Sequence, residues 1–348
     1  MKKFLVSLLA LCVFVLSSLT GCSCNPASPL TFSNTFLGEA NTSNFQEHLE
    51  YEVNYLENSL DYPYLNRDSE LDVYIEDLSM TGSYVCDLTT VLNGSVDIPD
   101  NNIVGENGIY NASLYCLRTE FSVTATYTLK NQSAPTIKAD EIISEVYFLP
   151  SGHSFAPVYS KTNAVMHLVS LSQNGLKFSD VEYEYETVYN QSNYKLSKKV
   201  ILDNETIENT VDKKYGYSYK CIIDNNQLLF ALRNLSTVNG ENVEMPVVAP
   251  AYGKATKLGF LETASSNKEF TFDLNGQPLT EQIPVKNVSY AVSKIQSAGR
   301  THYAVVQNGA SASIKNKGLI IRYAQPLPVY GSMSNLGALE FKLLNASF

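Results

Sequence analysis

The sequence predicts a mainly β fold built from antiparallel strands with few helical turns. Helix signals are sparse along the chain, whereas runs that alternate apolar and polar residues with a period of two recur. Asn and Gly both tolerate positive φ, so an Asn-Gly pair suits the type I′ turn that closes a hairpin. Six such pairs occur, most of them between alternating runs, at Asn93, Asn107, Asn174, Asn239, Asn275 and Asn308.

The clearest hairpin begins at residues 181–186, Val-Glu-Tyr-Glu-Tyr-Glu, where aromatic and acidic side chains are predicted on opposite faces. A turn is expected at Asn190–Asn193, followed by a return strand over Tyr194–Leu202. We interpret the glutamates as a solvated face; a cation site is the alternative, although carboxylates along one strand do not converge on an ion. Three lysines of the return strand are predicted to lie opposite the acidic row: Lys195, Lys198 and Lys199.

The strands are expected to form one strongly curved sheet or two half-barrel-like units, because a curved sheet buries one face and leaves a pocket at its mouth. The domain is predicted to span residues 43–348, with a possible boundary between two related halves near residue 175. Further strands are predicted at Leu71–Leu78, Ser83–Leu92, Ile109–Leu117, Ser122–Leu129, Ile142–Leu149, Val165–Leu171, Tyr215–Ile223, Leu228–Leu232, Phe270–Leu274, Val285–Ile295, Tyr303–Val306, Leu319–Tyr323 and Ala338–Leu344.

The best helix candidate is Ser43–Leu60. Ser43 and Gln46 have the spacing of a capping box, and apolar residues recur at helical intervals after them. The segment from Leu49 to Tyr55 also alternates strictly, as a strand would. We expect a short helical entry that runs into a strand.

The chain begins with Lys2 and Lys3, an apolar run over Phe4–Leu16 and the box Leu19-Thr20-Gly21-Cys22. This apolar run is too short for a membrane-spanning helix, the alternative interpretation of the segment, because such a helix needs about 20 apolar residues. The segment resembles the start of a bacterial lipoprotein precursor at all four positions of the lipobox. The resemblance implies that residues 1–21 are removed as a signal peptide and that Cys22 is lipidated, with acyl chains such as palmitate.

By the same resemblance, residues 22–42 are a lipidated N-terminus and a flexible tether, rich in Ser, Asn and Pro. Each buried methylene of the acyl chains contributes about 0.8 kcal/mol to membrane binding. The expected location is therefore the extracytoplasmic face of the cell membrane. Ser23, where Asp would favour retention, is compatible with delivery to an outer membrane if the host has one.

The net charge is −10 and becomes more negative when Lys2 and Lys3 leave with the leader. Scattered basic residues among more numerous carboxylates argue against nucleic acid as a partner. No His lies at ligand spacing from a Cys pair, so neither a metal nor a cofactor is expected. Beyond Cys22 four cysteines allow three pairings, and we favour a disulfide between Cys86 and Cys116, which fall in predicted strands of neighbouring hairpins; buried free thiols are the alternative.

The common catalytic motifs, GxSxG, HExxH, the P-loop and the dinucleotide fingerprint, are absent from the sequence. Two Ser-x-x-Lys strings, Ser192–Lys195 and Ser265–Lys268, lie in predicted turns and lack the partner motifs of penicillin-recognising enzymes, so we interpret them as chance matches. No catalytic residue is therefore assigned, and an enzyme is not expected.

The order of Tyr-rich strands, the break at Phe148-Leu149-Pro150 and the closing strand Gly337–Leu343 are similar to uncharacterised lipoproteins of Gram-positive bacteria and to the half-barrel lipoprotein carriers of Gram-negative envelopes. This resemblance implies a fold and assigns no residue role. The expected function is non-catalytic binding of a partner or envelope component. The alternatives are a carrier of a lipid or other apolar ligand, and an enzyme whose site the sequence does not reveal.

Overall fold

The structure is a computed structural model that describes residues 45–60, 62, 65–91, 98, 101–104, 113–150, 155–173, 175–215, 221–234, 242–249, 254–292 and 302–348. The predicted signal peptide, the tether, Cys22 and Cys24 lie outside these ranges. Lipidation of Cys22 therefore remains a prediction from the sequence.

The described residues form a mainly β structure, as predicted. Its strands are β1 (Gln46–Leu56), β2 (Ile75–Val91), β3 (Leu114–Leu129), β4 (Thr136–Phe148), β5 (Pro157–Ser172), β6 (Gly175–Tyr189), β7 (Asn193–Leu202), β8 (Glu205–Lys214), β9 (Ile223–Asp224), β10 (Asn242–Ala249), β11 (Lys254–Leu274), β12 (Gln277–Val292), β13 (His302–Gln307), β14 (Ile320–Pro328) and β15 (Asn335–Ser347).

All of these strands belong to one sheet, in the order β8-β7-β6-β5-β4-β3-β2-β1-β15-β14-β13-β12-β11-β10-β9. The chain thus makes one antiparallel meander from β1 to β8 and a second from β10 to β15, and the two meanders meet where β1 pairs with β15. Short β9 pairs with β10 in parallel. Residue 175 lies in the β5–β6 hairpin, where the sheet continues unbroken, and the proposed pair of related halves stays a prediction.

The sheet is strongly curved, because its β9 edge returns to the opposite half. Asp224 of β9 accepts hydrogen bonds from Ser160 of β5 at 2.6 Å and from Tyr189 of β6 at 2.5 Å. A parallel bridge between Ser170 and Tyr330 also joins β5 to the connection that follows β14. Of the two predicted arrangements, the described residues form the single curved sheet.

The predicted turn chemistry is found at one of the two Asn-Gly pairs that lie within the described residues, and also in the predicted turn at Asn190–Asn193. Asn275 and Gly276 have φ of 50° and 75° and close the β11–β12 hairpin. Asn190 donates its backbone N–H to Asn193 O at 2.8 Å in the predicted β6–β7 turn. The other pair, at Asn308, begins the long connection from β13 to β14, between the strands predicted at Tyr303–Val306 and Leu319–Tyr323.

A short helix, α1 (Leu228–Asn234), occupies the position where the strand Leu228–Leu232 was predicted, so that prediction is wrong. An apolar run of five residues fits a buried strand or a buried helix equally well. The preceding 3-10 turn, Asn225–Gln227, resolves the ambiguity because Asp224 and Gln227 form a capping box. The helix is apolar nearly all round and lies inside the curved sheet.

Three other sequence expectations need correction. The described part of Ser43–Leu60 contains strand β1 and no helix, because its alternating side chains pair between β2 and β15. The strand predicted over Leu71–Leu78 starts with a 3-10 turn at Ser69–Val73. In the described part of Tyr215–Ile223, only Ile223 lies in a strand.

The main core fills the interior of the curved sheet, where facing walls meet. Val53 of β1, Tyr127 of β3 and Phe260 of β11 are fully buried members of this cluster. A second aromatic group, Phe148 with Phe155, packs on Phe230 of α1, with ring centroids 4.8 Å apart for Phe148 and Phe230. The helix therefore fills part of the interior of the curved sheet. The space that remains beside it is the candidate site.

Candidate functional site: an aromatic cavity inside the curved sheet

A cavity of about 200 Å³ lies between the two walls of the sheet. Strands β2 to β6 form one wall, β12, β14 and β15 form the other, and the turn before α1 together with Leu228 and Leu229 closes one end. Among the described residues, seven aromatic rings line it: Tyr84, Phe121, Tyr183, Tyr185, Tyr290, Tyr323 and Phe341.

Strand register explains why apolar side chains meet on this wall. Tyr84 pairs with Phe121, Phe121 with Ile142, Ile142 with Ala164, and Ala164 with Tyr183. Paired residues in adjacent strands point to the same face of a sheet. The five side chains therefore form one transverse apolar row across β2 to β6.

The next row, two positions along, is polar. Thr119 pairs with Ser144, Ser144 with Thr162, and Thr162 with Tyr185. The hydroxyls of Thr119 and Ser144 are 2.6 Å apart, and Asn226 Nδ2 donates to Thr162 Oγ1 at 2.8 Å. These groups satisfy one another, which removes most of the penalty of burying them.

Among the described residues one carboxylate, that of Asp140, reaches the cavity. It belongs to a hydrogen-bonded group that we call the charged cluster: Tyr127, Asp140 and His167. Asp140 Oδ1 accepts from the His167 backbone N–H at 2.8 Å and lies 2.7 Å from its Nδ1. His167 Nε2 lies 2.8 Å from the Tyr127 hydroxyl. The side chains of His167 and Asp140 are 6% and 13% exposed, and a smaller cavity of about 70 Å³ adjoins all three residues.

A second group on the facing wall, the closed cluster, consists of Tyr290, His302 and Tyr323. The Tyr290 and Tyr323 hydroxyls are 2.7 Å apart, and His302 Nδ1 lies 2.8 Å from the Tyr323 hydroxyl. The rings of Tyr290 and His302 stack with centroids 4.6 Å apart. Burial lowers the pKa of His302 to about 3 and raises the pKa of both tyrosines, so the whole cluster is neutral.

The disulfide predicted between Cys86 and Cys116 is not formed, and both residues are free thiols. Cys86 pairs with Thr119 across β2 and β3, whereas Cys116 pairs with Thr89. The two cysteines are thus displaced by three positions, which places their side chains on opposite faces of the sheet. Burial raises the pKa of Cys86 to about 12 and of Cys116 to about 11, so both stay protonated.

The predicted acidic row lies on the outer face of β6, where Glu182 and Glu184 are exposed. Lys199 pairs with Glu184 as predicted. Lys198 does not, because it pairs with Tyr185 and therefore shares the aromatic face. Two residues an odd number of positions apart in a strand place their side chains on opposite faces of the sheet, as Lys198 and Lys199 do.

Across the described ranges, no three or more His, Cys, Asp and Glu side chains come together as a metal site would require. In the same part of the chain, no helix has the length and apolar character needed to cross a membrane. No motif in the sequence marks Asp140, His167 or the members of the closed cluster as functional residues. These residues are far apart in the chain, and the signal that could have indicated them, lone His residues in alternating runs, is weak.

No protein-family model matches the chain, and no curated protein matches its sequence. Among solved structures, the chain is similar to a beta-barrel-like protein of a domain of unknown function, DUF1849, from Brucella abortus. The match has 11% sequence identity and a TM-score of 0.43, and it covers 86% of this chain and 96% of the other.

Proposed function

We propose that the protein is a membrane-anchored extracytoplasmic lipoprotein that binds a small, mainly apolar ligand without catalysis, in the cavity inside its curved sheet. The observation that carries the proposal is the cavity itself, with seven aromatic rings on its walls. Binding sites for small molecules are typically concave, mostly apolar and equipped with a few polar groups that fix orientation.

The size of the cavity supports a small ligand. Its volume of about 200 Å³ equals the liquid volume of about seven water molecules. An apolar cavity of about 150 Å³ can hold a single benzene ring. A ring-sized or short-chain molecule therefore fits, whereas a full diacyl lipid would have to extend beyond the cavity.

The chemistry of the tyrosines supports binding. Burial raises the pKa of Tyr84, Tyr290 and Tyr323, so their hydroxyls stay protonated and can donate hydrogen bonds. Phe341 contacts Tyr84 at 5.5 Å and Tyr323 at 5.2 Å between ring centroids, which gives the walls a fixed aromatic surface.

The anchoring part of the proposal depends on Cys22 and the segment after it. A tether of about 20 residues would place the binding domain close to a membrane while leaving it free to rotate. The parent should incorporate labelled palmitate, and replacement of Cys22 by Ser should abolish the incorporation. Absence of label from the parent, or equal labelling of the variant, would contradict the anchor.

The ligand is tested with the full chain carrying Cys22→Ser, purified without detergent. Native mass spectrometry is expected to show an adduct of one small molecule per chain, which solvent extraction then identifies. As a second readout, the uncharged dye N-phenyl-1-naphthylamine should bind with a blue-shifted emission. A bare mass together with no dye binding would overturn the proposal.

Neighbouring residues of β4 provide a matched pair of variants. Ile142 lines the cavity, whereas Ile143 points outward and is 41% exposed. Ile142→Trp should therefore abolish adduct and dye binding, and Ile143→Trp should leave both unchanged. Should Ile142→Trp fail to fold, Leu229→Phe narrows the cavity from α1 and should weaken dye binding at least tenfold. Binding by both cavity variants as tight as in the parent would contradict the site.

A further inference from the structure

We propose that the ligand of this cavity is an organic cation, an amine or quaternary ammonium group on a small apolar body, held by the Asp140 carboxylate and the surrounding aromatic rings. The inference rests on the proposed function and names the class of ligand. It follows from the charge of the cavity, from the hydrogen bonding of Asp140 and from the aromatic walls.

Asp140 determines the charge of the cavity. Among the described residues that line it, Asp140 is the only Asp, Glu, Lys, Arg or His. Its side chain is 13% exposed, so water solvates the carboxylate only in part. A charge with little solvation attracts an opposite charge more strongly than a surface carboxylate does.

His167 orients the Asp140 carboxylate. Nδ1 of its ring donates to Asp140 Oδ1 at 2.7 Å, and its backbone N–H donates to the same oxygen at 2.8 Å. The other ring nitrogen, Nε2, lies 2.8 Å from the fully buried Tyr127 hydroxyl. These contacts fix the position of the carboxylate beside the cavity.

The second carboxylate oxygen remains available to a ligand. Both hydrogen bonds from His167 go to Oδ1 of Asp140. Within the part of the chain that the structure describes, Asp140 Oδ2 has no hydrogen-bond partner. The nearest cation along the same face of β4 is Lys138, and its amine is already paired with Asp180 at 2.6 Å.

The walls suit a cation as well as an apolar body. Cations bind to the faces of aromatic rings, and aromatic cages for quaternary ammonium groups combine several such rings. Tyr183 and Tyr185 have centroids 4.8 Å apart, and Phe121 and Phe341 are 6.1 Å apart. The net charge of −10 adds a general attraction for cations.

Lys198 is the one feature of the described residues that would favour an anionic ligand. Lys198 pairs with Tyr185 on the aromatic face, is half-buried and has no ion-pair partner among the described residues. It does not line the cavity. A carboxylate ligand that extended past Tyr185 could reach it, so the test compares the two charges directly.

Three probes with the same chain are titrated into the Cys22→Ser protein by calorimetry at pH 7, below their micelle concentrations: octyltrimethylammonium, octanoate and octanol. We expect the ammonium to bind at least tenfold more tightly than octanoate. Asp140→Asn should reduce ammonium affinity at least tenfold while leaving octanol unchanged. Glu184→Gln, which removes a carboxylate from the outer face, is the control and should change neither.

A second variant tests the aromatic contribution. Tyr183→Leu keeps apolar volume and removes one ring, so ammonium affinity should fall at least threefold while octanol affinity is retained. Tighter binding of octanoate, or an unchanged ammonium affinity in Asp140→Asn, would overturn the cation inference and leave the proposed function standing. Failure of all three probes and of the dye to bind the parent would overturn the proposed function itself.

Discussion

The charged and closed clusters lie on facing walls of one cavity, and each pairs a histidine with a tyrosine. They differ in charge, because the charged cluster contains a carboxylate and the closed cluster is neutral. In each, a buried histidine hydrogen-bonds a buried tyrosine at 2.8 Å. In the charged cluster the other ring nitrogen of His167 faces Asp140, so a negative charge reaches the cavity. In the closed cluster His302 stacks on Tyr290 instead, and burial lowers its pKa to about 3.

The difference originates in the residue that each strand places beside the histidine. Asp140 lies on the cavity face of β4, and its carboxylate reaches His167 on the neighbouring strand. On the facing wall, register pairs His302 of β13 directly with Tyr290 of β12, so the neighbour is an aromatic ring. One carboxylate at one register position thus distinguishes the proposed binding group from the neutral closed cluster.

The largest expected effect on stability comes from Tyr323→Phe, which removes the hydrogen bonds of the closed cluster. The Tyr323 hydroxyl is the shared partner of Tyr290 and His302. Each buried group that loses its partner costs about 1–3 kcal/mol. We therefore expect the free energy of unfolding to fall by about 2–5 kcal/mol, measured by urea denaturation.

Tyr290→Phe is the matched control for this change, because it deletes one hydrogen bond and leaves the bond between Tyr323 and His302 intact. Its cost should be about half that of Tyr323→Phe. Equal losses in the two variants would show that Tyr323 is not the shared partner.

The buried His302 of the closed cluster should make the stability of the protein depend on pH. The folded protein holds the pKa of His302 near 3 by burial, against 6.5 in the unfolded chain. Between these values the unfolded state binds the extra proton, so stability rises with pH and is lost as pH falls below 6.5. The loss is about 1.4 kcal/mol per pH unit, or roughly 2–3 kcal/mol from pH 6.5 to 4.5.

His302→Asn removes the titrating ring and keeps an oxygen that can accept from Tyr323. Its unfolding free energy should therefore fall less steeply over that pH range than the parent's, even if the variant starts from lower stability. His48→Asn is the control, since the side chain of His48 is 40% exposed. Parallel pH profiles for the parent and His302→Asn would contradict the buried neutral histidine.

Local patterns in the sequence predicted much of the fold. The Tyr-Glu alternation of 181–186 and the turn at Asn190 identified the β6–β7 hairpin, because register and face follow from the period of two. The turn at Asp203 and Asn204 was missed although both have positive φ, of 49° and 65°. It leads into β8 (Glu205–Lys214), where Ile207 and Val211 are the only apolar residues and give too weak an alternation signal to predict a strand.

The site could not be predicted in the same way, because it depends on contacts between distant segments. His167 and Asp140 are 27 residues apart, and Tyr127 is 40 residues from His167. The cavity also depends on α1, whose apolar run was interpreted as a strand. The return of β9 to β5 and β6, through hydrogen bonds of Asp224 with Ser160 and Tyr189, brings that helix inside the sheet.

The smallest expected effect is on the stability of the charged cluster itself. Asp140→Asn retains an oxygen that can accept from the His167 backbone and ring, so the free energy of unfolding should change by less than about 1 kcal/mol in urea denaturation. Asp140→Ala removes the acceptor, leaves buried His167 donors unpaired and should cost about 1–3 kcal/mol. A loss above about 2 kcal/mol in Asp140→Asn would mean that the fold depends on the charge of this carboxylate. A near-zero change, beside a large loss in Tyr323→Phe, would mean that the fold requires the closed cluster and leaves the charge of Asp140 free to bind a ligand.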